Sequence, residues 1–176
     1  MTEHPPRPSS ERTSRNVRTR EDPDASPLAA GGRGRYEQRM RTIEQLLDES
    51  VTIAVVGASA NPAKAAHRIP VALQRMGYRV IPVNPEETTL FGVTAYPDLA
   101  SIPERVDLVD VFRPGPATPP IVQAAIDIGA GGVWLQQGIT SPESRALAEA
   151  AGIDYVEDLC LMIEAQRLGI DKRGHE

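Results

Sequence analysis

Aromatic residues make up only 4% of this 176-residue chain, so a core has to be assembled from Val, Ile, Leu and Ala. A single cysteine, Cys160, excludes an intrachain disulfide and a cysteine-rich metal site. No apolar run approaches the roughly 20 residues that span a bilayer, and no secretory-type apolar segment opens the chain. The N-terminus is rich in Arg and Ser, as transit peptides are, but Glu3, Glu11, Glu21, Asp22 and Asp24 argue against one. An excess of positive charge is also missing. The formal net charge of -5 argues against nucleic acid or a polybasic membrane contact as the main partner. These absences lead to the expectation of a cytoplasmic protein, and the length fits one domain.

Residues 1–34 hold almost no bulky apolar side chains and are thick with Pro, Arg, Ser and Gly. Such a segment buries too little surface to offset its ordering entropy, so a disordered tail is expected there. The folded domain is expected over 35–170, with a short tail at 171–176. Tyr36, Met40, Ile43 and Leu47 recur at helical spacing and predict a helix ahead of the first strand.

Beyond it, strand-like and helix-like segments alternate. "VTIAVVG", "YRVIPVNP", "VDLVDVF", "GVWLQQG" and "IDYVED" read as strands, and "FGVTAYPDL" as a weaker strand or extended loop. "IPVALQRMG" reads as a helix with Pro70 in its first turn. "PGPATPPIVQAAIDIG" reads as a helix opened by prolines, and "CLMIEAQRLG" as the last one. "SPESRALAEAAG" has Ser141 as N-cap, Pro142 at N1 and Gly152 past its end. Strands alternating with helices predict βαβ units, hence an α/β, Rossmann-like, doubly wound and mostly parallel sheet in the order 3-2-1-4-5-6. A ligand of such a sheet sits beyond the carboxyl ends of its strands. That selects the turns after Val56, Val83, Phe112, Leu135 and Val156.

The first of these, "GASANP", keeps the glycine that lets a ligand approach the backbone but lacks the other two of G-x-G-x-x-G. Asn84 stands where an acidic residue would hold an NAD ribose. A dinucleotide dehydrogenase is therefore disfavoured, and a turn with no ligand is the plain alternative. Lys64, His67 and Arg68 follow, near a helix N-terminus, where an anion would be welcome. Lys64 could equally be a solvated side chain.

The motifs "VVGASANP", "GYRVIPVNP", "VDLVDVFRP", "GAGGVWLQQGI" and "VEDLCLMIEAQRLGI" together resemble the small CoA-binding-domain proteins, relatives of the CoA-binding domain of succinyl-CoA synthetase α subunits. The resemblance covers about 43–170 and implies a Rossmann-like fold that binds coenzyme A or an acyl-CoA; it implies no reaction. It puts the phosphate-facing turn on Gly57, Ala58, Ser59, Ala60, Asn61 and Pro62, and the helix-start position on Arg68. Val83, Asn84 and Pro85 would flank the adenosine. Phe112 and Arg113, and Leu135, Gln136, Gln137 and Gly138, stand at two further strand ends. Two departures from the family stand out: Ala65-Ala66 replaces a common Pro-Ser, and Leu159 a common Arg.

The residues agree with such a ligand. A turn of short side chains admits a pyrophosphate, and the amides of Gln136 and Gln137 suit a pantetheine arm. Alternatives stay open at single positions: Trp134 as core, Arg113 paired with Asp110 or Asp158, and Cys160 as a reactive thiol or a buried small hydrophobe. No catalytic or metal-ligating set is visible. The expected function is a non-catalytic CoA-binding or regulatory module. The rival readings are a subunit of an acyl-CoA ligase system and an NAD(P) or nucleotide sensor.

Overall fold

The computed structural model describes residues 40–174. The expected tail over 1–34, Tyr36 and the last two residues lie outside that range. Among the described residues the first helix is α1 (Ile43–Glu49), with Thr42 as its N-cap. Its hydroxyl accepts from Gln45 N while the Gln45 side chain accepts from Thr42 N, a reciprocal cap.

The chain continues through β1 (Thr52–Val56), α2 (Ala65–Arg75), β2 (Arg79–Val83), β3 (Thr89–Leu90), β4 (Val93–Thr94) and β5 (Leu108–Val111). After a 3-10 turn at Gly115–Ala117 come α3 (Pro119–Asp127), β6 (Gly132–Leu135), α4 (Pro142–Ala151), β7 (Asp154–Val156) and α5 (Leu161–Arg167). Five strands pair in parallel in the order β2-β1-β5-β6-β7. Their side chains alternate between two cores, as the pleat requires. Ile53, Val55, Leu108 and Trp134 pack with α1, α2 and α5, whereas Ala54, Val109, Val111, Val133 and Leu135 pack with α3 and α4. Ser141 caps α4 through its hydroxyl, with Pro142 at N1 and Gly152 left-handed at the C-cap, as the sequence predicts.

Two expectations need correction. The order 3-2-1-4-5-6 loses its strand three, which survives as one parallel bridge between Val83 and Tyr96. Phe91 and Gly92 both take positive φ, 55° and 76°, the backbone of a tight type I′ turn. That turn folds the preceding residues into the separate hairpin β3–β4 and away from β2. Secondly, α2 begins at Ala65, so Pro70 stands inside the helix and not in its first turn. Pro70 has no N–H for the Ala66 carbonyl. The Ser59 N–H supplies the missing donor at 3.2 Å, which makes an interior proline tolerable and ties the first turn to the helix.

Candidate functional site

The carboxyl ends of β1, β2, β5 and β6 bring most of the sequence-selected residues to one rim. Gly57 turns the chain at φ 85° and donates its N–H to Val83 O at 3.2 Å. A Cβ on Gly57 would lie 3.0 Å from both Phe112 O and Arg113 Cδ. Here the glycine is required twice over, by its dihedral and by the closeness of the β5 turn.

The rest of the turn is held by its own short side chains. Ser59 Oγ accepts from Asn61 N, Asn61 Oδ1 from Ala63 N, and Asn61 O from Lys64 N. His67 Nδ1 lies 2.8 Å from Ser59 O. A carbonyl only accepts, so Nδ1 carries a proton and donates. The ring also meets Phe91 edge-on at 5.1 Å. Asn84 is not open to a ribose. Its Nδ2 donates to the Ala58 carbonyl at 2.8 Å and its Oδ1 accepts from Glu86 N, so it locks the β2 turn against the first.

What remains free at this rim is positive. Arg41, Arg79, Arg105, Arg145, Arg167, Lys172 and Arg173 each pair with a carboxylate. Lys64, Arg68 and Arg113 make no ion pair among the described residues, and all three are exposed. Arg75, at the far end of α2, is the other described cation without a carboxylate partner. Lys64 occupies the N-cap of α2 and, having no acceptor, caps none of its N–H groups. An uncapped helix N-terminus with cations at its first turn is electrostatically unfavourable until an anion joins it. Arg113 pairs with neither Asp110 nor Asp158, since Asp110 accepts from Gln136 and Asp158 from the Gly138 N–H.

Other selected residues point elsewhere. Val83 and Leu135 are core side chains that offer only backbone to the rim, whereas Ala60, Pro62 and Pro85 are exposed. Gln136 is buried with its Nε2 on Asp110 Oδ1 at 2.8 Å, so Gln137 is the exposed amide of the pair. Trp134 is wholly buried and donates Nε1–H to Leu159 O at 2.7 Å, a core role. Cys160 precedes α5, as expected, but is buried in the core beside Leu161 and Ala165. Treating the folded protein with oxidised CoA is therefore expected to leave its intact mass unchanged. A reducible gain of one CoA, absent in Cys160→Ser, would contradict that burial.

The sequence reading missed Asp110 as a feature in its own right. Its signal was present: the second of the two acids in "VDLVDVF" lies between apolar strand residues, on the same face as Leu108 and Trp134.

Comparison with known proteins adds a family. A family model described as CoA binding domain matches residues 51–166. YneT, an uncharacterised protein of Bacillus subtilis, is 34% identical over 121 residues, which cover 69% of this chain and 90% of YneT. A solved Thermus thermophilus protein, cell-free ID.343, is 41% identical with a TM-score of 0.69, covering 73% of this chain and 99% of that one. An ADP-forming acetate–CoA ligase of Archaeoglobus fulgidus is 31% identical over 121 residues, 62% of this chain but only 17% of the ligase.

Proposed function

The chain belongs to the CoA binding domain family, and from that premise we propose that it binds coenzyme A or an acyl-CoA at the strand ends, as a module without catalysis of its own. The observation that carries this reading is the trio of unpaired cations, Lys64, Arg68 and Arg113, around the Gly57 turn and the uncapped end of α2. CoA offers a pyrophosphate and a 3′-phosphate to that trio. The Gly57–Pro62 turn, with its short side chains, admits the pyrophosphate against backbone N–H groups. Gln137 and Gly138, at the neighbouring β6 end, are placed for the amides of the pantetheine arm.

Calorimetry with CoA tests the reading. Removal of a charged hydrogen bond costs about 1.5–3 kcal/mol, so Arg68→Ala and Arg113→Ala should each weaken CoA by roughly ten- to hundredfold. Dephospho-CoA assigns the 3′-phosphate: the variant that loses nothing further with this ligand is the one that held it. Unchanged affinity in both variants would remove the trio from the site. The likeness to one segment of an acetate–CoA ligase favours a second reading, a CoA-binding subunit of a ligase system. Native mass spectrometry of the purified protein separates a retained CoA from a retained NAD(P), and co-purification of an ATP-using partner would favour the ligase reading.

A further inference from the structure

Asp110 and Gln136 stand on adjacent parallel strands, and each is tied to the rim by its neighbours. Asp110 lies two residues before Phe112 and three before Arg113, and pairs in register with Val55 and Trp134. Gln136 leads directly into Gln137 and Gly138, its N–H on Val111 O and its carbonyl accepting from Ile139 N. The two side chains share one hydrogen bond, Gln136 Nε2 to Asp110 Oδ1 at 2.8 Å. The other half of each group is stranded: Asp110 Oδ2 and Gln136 Oε1 are buried acceptors without a donor. Both residues are buried, Asp110 completely.

Two orphan acceptors on one bonded pair are both satisfied by a single proton. A carboxylic acid and a primary amide then make two reciprocal hydrogen bonds, N–H to Oδ1 and O–H to Oε1. We propose that Asp110 is a positioning residue that works as the neutral acid, closing this acid–amide ring and holding the β5 and β6 turns in place, so that anion binding at those turns is coupled to one proton. The coupling to ligand rests on the CoA reading above; the ring itself does not. When the proton leaves to solvent, a carboxylate stays behind in an apolar site with its Oδ2 unpaired, and the Gln136 carbonyl loses its donor.

The surroundings leave that proton to Asp110 alone. Burial raises its carboxyl from 3.8 to about 7, against the hydrogen bonds of Gln136 and Val111 that pull it down, and no charged group contributes. By alternation its face of the sheet is the one covered by α1, α2 and α5. Glu44, Asp48 and Glu49 of α1 are exposed, as are Arg68 and Arg75 of α2. His67 is bonded to Ser59 O, Glu164 is paired with Arg167 on α5, and Cys160 is core. Tyr78, just before β2, donates its hydroxyl to Leu47 O.

The test has a ligand-free arm and a ligand arm, both on the full chain. In NMR spectra recorded from about pH 5.5 to 8.5, the amides of Phe112, Arg113, Gln137 and Gly138 should shift with one common midpoint. Asp110→Asn, whose amide closes the same ring without a titrating proton, should abolish those shifts, and His67→Asn should leave them. Flat amides in the wild type, or equal shifts in Asp110→Asn, would overturn the ring; should that variant not fold, the wild-type titration decides alone. For the ligand arm, CoA should bind about tenfold more weakly at pH 8 than at pH 6 in the wild type, the proton-linkage limit for one group. The CoA phosphate gains charge over this range and acts in the opposite sense. Asp110→Asn should lose the weakening. Equal pH dependence in both proteins would overturn the coupling. CoA failing to bind at any pH would overturn the CoA reading and the coupling that rests on it, while the amide shifts still decide the ring.

Discussion

Raising the pH from about 4.5 to 8 is expected to cost this protein about 3 kcal/mol of stability, from Asp110 alone. The unfolded chain releases this proton near 3.8, whereas the folded protein keeps it until about 7. Between those values the native state binds the extra proton, so each step up in pH favours unfolding. Below the window both states are protonated, and above it both are ionised, so the dependence ends on either side. Glu157 works in another range. Burial pushes its carboxyl up, but hydrogen bonds from Arg145, Tyr155 and the Ser141 N–H outweigh that and hold it below the usual value. Its contribution is present above the ordinary carboxylate range and is lost only as the pH falls further.

Asp110→Asn isolates the effect. Its amide keeps the shape and can both accept from Gln136 Nε2 and donate to Gln136 Oε1. Urea melts of the variant should be flat across the window, and at about pH 8 it should exceed the wild type by about 3 kcal/mol more than at pH 4.5. Parallel curves for the two proteins would mean that Asp110 is ionised in the native state.

The second large effect belongs to Gly57→Val. At φ 85° a β-branched residue is strained wherever it has room, and here it has none: Phe112 O and Arg113 Cδ each stand 3.0 Å from the new Cβ. Strain of this kind costs about 1–3 kcal/mol, which a domain of this size survives. Binding should not survive. The branched side chain displaces the Arg113 stem and separates the β1 turn from the β5 turn, so the loss of CoA in calorimetry should be complete at any practical concentration. Circular dichroism should still show the α/β fold. A folded variant that binds CoA normally would place the ligand elsewhere on the molecule.

How far the rim was readable in the chain depended on which force set each residue. Ser141, Pro142 and Gly152 announce α4 because capping is local chemistry, written within one turn of the element it ends. Gly57 was legible for the same reason, a glycine after an apolar strand, whereas Arg113 was singled out only through the family resemblance. Pro70 was not. Its usual place is a helix's first turn, and only the Ser59 N–H arriving from outside the helix lets it stand further in. The third strand failed through Phe91, a bulky residue in left-handed backbone that no propensity would assign there. Gln136 looked like a free amide because polar residues at strand ends usually are. Alternation from Trp134 places it on an inner face instead, and its partner Asp110 is 26 residues away.

The strand lost from the sheet leaves β2 as a border. In its ladder with β1, Arg79 and Val83 turn their backbone groups inward, which leaves Val80 and Pro82 facing out. Pro82 has no N–H to offer, and its carbonyl already accepts from Tyr96 N. Val80 is thus the one residue of β2 with both backbone groups turned outward, and it is buried, while Arg79 and Glu104 set a charged pair close by. At the opposite border β7 is three residues long. A parallel sheet rich in Val and Ile is prone to grow by adding strands from its neighbours, and both borders of this one stop such growth. The protein should therefore stay dispersed when concentrated or warmed short of unfolding, and the aggregation that follows unfolding would have to begin from strands the native fold keeps interior.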